Sequence, residues 1–356
     1  MRKAPALNVL VSIAVLGLLL SVSALAHDVV GVPNDADYVR QQVDATSQTP
    51  AQPTQAAVPS KTKDGFVVAD QVKLHYVRSG AGQSVVLLHG NDGTLQDFTM
   101  SRFFDQLSKK YDSIAFDRPG HGSSESPKTQ IATPEVQAQL IHSALAQMSV
   151  KKPLLVAHSW SSSVALSYAL QFPHETSGIV LLGGVAYSTK EDGPKAVYYL
   201  AHVPVISNLL ALAFKLTGRE QIQKELRDAF SPDEPPKPYI EKFLSSMFRT
   251  SQLKAAALDE LTLDACLKKM SSEYGKIKTP VIIVCGDSDK TVSPKAHSFP
   301  LHKAILHSEL IVLEKAGHEL QFSRPDDVIR AIDLAASRSL SPYAHSEETA
   351  SSWQLN

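Results

Sequence analysis

Cysteine is scarce in this chain: Cys266 and Cys285 are its only two in 356 residues. Two thiols cannot form a disulfide framework at this length, so the core must hold by packing. Cys285 closes an apolar run, where a buried free thiol is the expectation and a disulfide between Cys266 and Cys285 the alternative. Neither Cys nor His recurs at a zinc-ligand spacing, and no metal site is expected. Basic charge is not in excess either, with 35 Lys+Arg against 36 Asp+Glu and a net charge of -1. Without a long run of one sign, such a surface has no field with which to hold a phosphate backbone, and nucleic acid is not an expected partner. No internal repeat is apparent. What the chain does have is 43% hydrophobic residues, enough for one large domain or a core domain carrying an insertion.

The first 26 residues stand apart. Arg2 and Lys3 precede an apolar stretch from Leu7 to Leu20, and Ala24-Leu25-Ala26 follows. A basic start, an apolar middle and an A-x-A end read as a secretory signal cut after Ala26. The alternative is an uncleaved anchor, since Ala4 to Ala26 approaches the roughly 20 residues that span a bilayer. Both readings export the body of the protein to the periplasm or beyond, and a membrane enters only through this segment. Residues 27–62, rich in Pro, Gln, Ala and Thr, read as a flexible tether because they cannot bury enough apolar surface to offset their ordering entropy. The polar tail 339–356 reads likewise.

Between these ends the pattern alternates. Phe66-Val67-Val68 and Val72 to Val77 suggest a hairpin. Short apolar runs then recur at 85–88, 113–116, 154–157, 179–182, 281–284 and 310–313, each of buried-strand type. Helical stretches separate them; Thr133-Pro134-Glu135, for example, offers an N-cap and a proline at N1. Strand-helix alternation implies an α/β fold, a mostly parallel sheet with helices on both faces. One gap interrupts it. Residues 187–274 contain no convincing strand but carry helical stretches at 205–216, 220–230 and 252–270, with the turn Ser231-Pro232-Asp233-Glu234-Pro235-Pro236 between two of them. Such an insertion reads as a helical cap over a core formed by 63–186 and 275–338, with Leu209, Leu210, Leu212, Phe214, Met247 and Phe248 mostly in the cap's own core.

Five stretches carry chemistry: Leu87-Leu88-His89-Gly90-Asn91, Asp117-Arg118-Pro119-Gly120-His121-Gly122, Ala157-His158-Ser159-Trp160-Ser161, Cys285-Gly286-Asp287-Ser288-Asp289 and Ala316-Gly317-His318. In this order they resemble the α/β-hydrolase superfamily over about residues 64–338. A serine at the apex of a strand-to-helix turn is held in a strained conformation that exposes its hydroxyl, and its neighbours at two before and two after must be small. The family usually has glycine in both places; here Ala157 and Ser161 stand there. Ser159 and Ser161 both sit between small residues. The apolar run ends at Ala157, however, which puts Ser159 at the apex and Ser161 in the first helical turn, where its hydroxyl is expected to bond its own backbone or water.

A serine needs a base to accept its proton. Among thirteen histidines, His89 and His121 belong to loop signatures, His158 is expected to point away, and His297, His302 and His307 read as a surface helix and its following loop. His318 follows the last strand and is the expected base. Asp289 fits the resemblance's Gly-x-x-Asp pattern as the acid that orients it, with Asp287 as the alternative; the order Ser159, Asp289, His318 is that of the fold. The backbone N–H of Trp160 is expected in the oxyanion hole, and the resemblance implies that of Asn91 as the second donor.

His-Gly-Asn with a Trp after the nucleophile also resembles haloalkane dehalogenases, whose matching side chains hold the departing halide; epoxide hydrolases share the tryptophan. Those relatives use aspartate, because an alkyl ester can be hydrolysed, whereas serine attacking an alkyl carbon would leave an ether with no exit. Acyl chemistry is what a serine nucleophile completes. The expectation is therefore an exported serine hydrolase acting on a small-molecule ester or lactone through an acyl-Ser159 intermediate, with no cofactor required. The same triad serves carbon–carbon hydrolysis, amide cleavage and perhydrolysis, and a non-catalytic binding protein on this scaffold is the rival from another class.

Overall fold

The computed structural model describes residues 62–128, 130–188 and 218–339. The expected N-terminal segment 1–26, most of the tether and tail, and the helix expected at 205–216 lie outside them. Strands β1 (Lys63–Ala69) and β2 (Val72–Ser79) form the expected hairpin. Its two-residue turn, Asp70-Gln71, has φ of +47° and +67°, the left-handed pair whose twist suits a tight hairpin. Six strands follow: β3 (Ser84–Leu88), β4 (Asp112–Phe116), β5 (Leu154–His158), β6 (Gly178–Leu182), β7 (Val281–Gly286) and β8 (Glu309–Leu313). They form one eight-stranded sheet in the order β1-β2-β4-β3-β5-β6-β7-β8, in which only the pairings of β2 with β1 and β4 are antiparallel.

The apolar runs are unbroken because both faces of the sheet are covered. Val86, Leu88, Leu155, Ala157, Ile179 and Leu181 pack on one face against helices α3 (Pro134–Gln147) and α4 (Ser162–Gln171). Val85, Leu87, Leu154, Val156, Val180 and Val284 pack on the other. There they meet α1 (Gln96–Thr99), α2 (Arg102–Leu107) and, late in the chain, the amphipathic helix 325–339. Burying each such aliphatic side chain contributes about 1.5–3 kcal/mol. Helix α3 starts as its sequence specifies: Thr133 Oγ1 accepts from the Val136 N–H at 3.3 Å, and Pro134 occupies the first turn.

Between β6 and β7 the described residues carry three α-helices, α5 (Arg219–Phe230), α6 (Lys237–Met247) and α7 (Thr250–Met270). Helix α6 had no counterpart in the sequence reading. After β7 come α8 (Ser298–Ala304), α9 (Leu320–Ser323) and α10 (Pro325–Ser339). Both cysteines are free, and burial pushes the Cys285 thiol up to about 12. Among the described residues no helix is long and apolar enough to cross a membrane.

Since β3, β5, β6, β7 and β8 run parallel and adjacent, the loops leaving their carboxyl ends emerge along one edge. That edge is where ligands bind in open α/β sheets.

Candidate active site

Ser159 begins a single turn of 3-10 helix that joins β5 to α4. Its φ is +54°, a conformation that costs a non-glycine residue roughly 1–3 kcal/mol and persists only where the surroundings impose it. They do so here. Ala157 and Ser161 are fully buried beneath the turn, the Val185 N–H ties the Ser159 carbonyl at 3.2 Å, and a Cβ placed on Gly90 would lie 3.3 Å from that of Ser159.

Asp289, after β7, and His318, after β8, meet at the same edge. His318 Nδ1 lies 2.7 Å from Asp289 Oδ2, with side-chain exposures of 4% and 0%. The other carboxylate oxygen, Oδ1, accepts the N–H groups of Thr291 and Val292 at 2.8 Å each. The acid is thus fixed by its own loop, and it holds the imidazole with the proton on Nδ1, leaving Nε2 as the basic nitrogen. Asp287, the alternative acid, is exposed and accepts the Ser288 hydroxyl instead. Burial alone would lower the His318 pKa; the Asp289 charge and hydrogen bond, with the Glu319 charge, outweigh it and leave it raised above 6.5.

The dyad has room only because a glycine follows β6. A Cβ on Gly183, at φ +52°, would stand 2.8 Å from His318 Nδ1 and 3.2 Å from Asp289 Oδ2. The Gly183-Gly184 pair after Leu182 was a visible but unused signal for this approach. His158 does not point away as expected. Its ring centroid is 4.6 Å from that of His318, and its Nε2 donates to the His318 carbonyl at 3.2 Å. Burial, reinforced by His318, keeps the His158 pKa far below 6.5, so the ring at the base's side is neutral.

The loop 89–93 leaves β3 with every carbonyl engaged. Arg118 is fully buried; its Nε donates to the His89 carbonyl at 3.0 Å, and its Nη2 to those of Gly90 at 2.8 Å and Asn91 at 3.4 Å. The Ser161 hydroxyl also donates to the His89 carbonyl, so this side chain, expected to serve its own helix or solvent, braces the neighbouring loop. The carbonyls of Asp92 and Gly93 accept Gln252 Nε2 at 3.2 and 2.9 Å. In a planar trans peptide the C=O and the following N–H point in opposite directions. Holding the Gly90 carbonyl against Arg118 therefore turns the Asn91 N–H to the opposite side. The Trp160 N–H lies in the first turn of a helical run, where amides lack intrahelical acceptors.

The side chains of Asn91 and Trp160 do different work. Asn91 Nδ2 donates to Glu260 Oε1 of α7 at 3.1 Å. Trp160 is 2% exposed and packs in the core with the Arg118 guanidinium 4.4 Å from its ring centroid, a cation–π contact. His89 Nε2 accepts the Arg118 N–H at 2.9 Å, and burial beside Arg118 keeps it neutral. His297 is a correction to the surface reading: it is 7% exposed, because its Nδ1 turns inward to accept the N–H groups of Ala186 and Tyr187 at 3.3 Å each. Among the described residues no group of three or more His, Cys, Asp or Glu is placed to hold a metal ion.

Arg118, Gly183, Gln252, Asp259 and Glu260 were not singled out in the sequence. Arg118 lay within a quoted motif; the three α7 residues are distant in sequence and carry no local signature.

Residues 83–325 match the family described as alpha/beta hydrolase fold. An uncharacterized hydrolase, YugF, of Bacillus subtilis (strain 168) is 28% identical over 267 residues, which are 71% of this chain and 89% of the relative. A 2-hydroxy-6-oxo-6-phenylhexa-2,4-dienoate hydrolase of Comamonas testosteroni is 23% identical over 275 residues, 74% of this chain and 92% of the relative. Among solved structures, a thermophilic esterase from Thermogutta terrifontis superposes with a TM-score of 0.62 at 19% identity, covering 78% of this chain and 100% of its own.

Proposed function

Because the chain belongs to the alpha/beta hydrolase family, we propose that it is a serine hydrolase that cleaves a carboxylic ester or lactone through an acyl-Ser159 intermediate. One observation carries the reading: a serine strained to φ +54° stands at the sheet edge that also holds an imidazole bonded to a buried carboxylate at 2.7 Å. Ser159 Oγ attacks the substrate carbonyl while His318 Nε2 takes its proton. Asp289 keeps the imidazole in the required tautomer and stabilises the imidazolium. The Asn91 and Trp160 N–H groups bind the oxyanion. His318 then gives its proton to the leaving oxygen, and a water deprotonated by the same nitrogen hydrolyses the acyl-enzyme.

The esterase from Thermogutta terrifontis supports the fold on which this chemistry runs, while the dienoate hydrolase relative favours one second reading, cleavage of a carbon–carbon bond beside a ketone by the same triad. Hydrolysis of p-nitrophenyl esters of graded chain length, measured beside lactone and diketone panels, separates them. Turnover of esters or lactones that disappears in Ser159→Ala supports the first; inert esters and lactones with an active diketone would transfer the assignment to the second. The basic start, apolar middle and Ala24-Leu25-Ala26 of the N-terminus support export as part of the proposal. A mature protein beginning at His27 is expected, and N-terminal sequencing of the expressed full chain reads this directly.

A further inference from the structure

Helix α7 reaches the loop 89–93 directly through Gln252 and Glu260, and indirectly through Asp259 and Arg118. Gln252, fully buried, donates to the carbonyls of Asp92 and Gly93 and accepts the Gly122 N–H at 3.0 Å through Oε1, so its amide orientation is set from both ends. Glu260 accepts the Asn91 carboxamide. Asp259, 2% exposed, pairs with Arg118 Nη2 at 2.7 Å, and Gln137 bridges the two, accepting from Arg118 at 2.9 Å and donating to Asp259 at 2.9 Å. Arg118 is in turn the donor that holds the carbonyls of His89 and Gly90. The ion-pair partner of this buried guanidinium, Asp259, comes from the insertion.

We infer that α7 belongs to the catalytic apparatus: through Gln252, Asp259 and Glu260 it positions the loop whose Asn91 N–H binds the oxyanion, so that docking of the insertion and assembly of the oxyanion hole are one event. The inference rests on the acyl-transfer reading above. These three are positioning residues, since each acts through the loop or through Arg118. Their effect falls on the transition state, because a displaced N–H still tolerates a planar substrate carbonyl but no longer meets the oxyanion. Loss of one oxyanion donor outright costs about 10² to 10³ in turnover; a donor moved out of line loses roughly 10- to 100-fold on the same scale.

The test uses the full chain with Gln252→Met, which keeps the shape and removes the amide, and Glu260→Ala, which removes the acceptor of the Asn91 carboxamide at a half-buried site. Lys269→Ala, exposed further along the same helix, is the control. For each, kcat and KM on the best ester are measured with the affinity of an aliphatic trifluoromethyl ketone, whose serine adduct carries an oxyanion, and the melting temperature is recorded. The expected result is a fall in kcat with KM within about three-fold, a matching loss of ketone affinity, and no change in Lys269→Ala. Should Gln252→Met fail to fold, Glu260→Ala decides alone. Unchanged kcat and ketone affinity in a folded variant, or a loss confined to KM, overturns the inference. If wild type is not labelled by a fluorophosphonate, the serine reading itself fails, and that outcome is seen before any α7 variant is made.

Discussion

His318 Nδ1 donates to Asp289 Oδ2 at 2.7 Å, and the remaining carboxylate oxygen is held by two backbone amides of the acid's own loop. The pair is rigid from the acid's side, which fixes both the tautomer and the direction of the free Nε2.

A pH profile follows from this contact. Catalysis needs neutral His318, whose pKa is raised above 6.5 by Asp289 and Glu319 against the opposing effect of burial. The acidic limb of kcat/KM is expected above pH 6.5, with activity rising as the proton leaves. Asp289→Asn should move that limb to lower pH and reduce turnover by about 10⁴, as neutralising the acid of such a triad does. The stability carried by the same contact has the opposite sense: it is full below 6.5 and is lost as pH rises through the raised value. A limb that stays in place in Asp289→Asn would detach Asp289 from the base.

Gly183→Ala tests the space beside the dyad. The added methyl would stand 2.8 Å from His318 Nδ1 on backbone at φ +52°, where a left-handed conformation costs a non-glycine residue about 1–2 kcal/mol. Activity is expected to fall at least ten-fold in protein that still melts cooperatively. Full activity would mean that the His318 ring is not held where β6 ends.

Ser161→Ala removes the hydroxyl that braces the His89 carbonyl. Arg118 Nε still satisfies that oxygen at 3.0 Å, so the expected loss is about 0.5–1.5 kcal/mol of stability, the net worth of one hydrogen bond. Ser161→Ala should also retain fluorophosphonate labelling; loss of labelling would hand the nucleophile's role to Ser161.

Arg118→Leu strands Asp259, 2% exposed, without its partner. Breaking a buried pair from one side costs about 3–5 kcal/mol, which for a chain of this size lowers Tm by roughly 10 °C. Thermal unfolding followed by circular dichroism measures it. The double change Arg118→Leu with Asp259→Leu should recover part of the loss, and no recovery would show that the two act separately.

Much of the fold was legible because both sheet faces are apolar: runs such as 154–157 and 179–182 need no alternation to declare themselves as buried strands. The turn at Ser159 was legible from where one such run stops and the place of His318 from its position after the last strand, while Asp289 was picked through the resemblance's Gly-x-x-Asp pattern. The environment of those residues was not. Whether His158 turns toward or away from the base depends on a carbonyl 160 positions later in the chain. The inward turn of His297 depends on amides at 186 and 187, and the brace from Ser161 on a loop 72 positions earlier. Helix α6 was missed because its Pro- and Lys-rich start reads as loop, although Tyr239 and Leu244 anchor it as core.

The acyl-transfer reading stands on a covalent intermediate at Ser159. Incubation of the active protein with a fluorophosphonate, followed by proteolysis and peptide mass spectrometry, tests it most directly. One adduct is expected on the peptide that contains Ser159, absent in Ser159→Ala and slowed in His318→Ala. An adduct on another residue, or labelling that persists in Ser159→Ala, would contradict it.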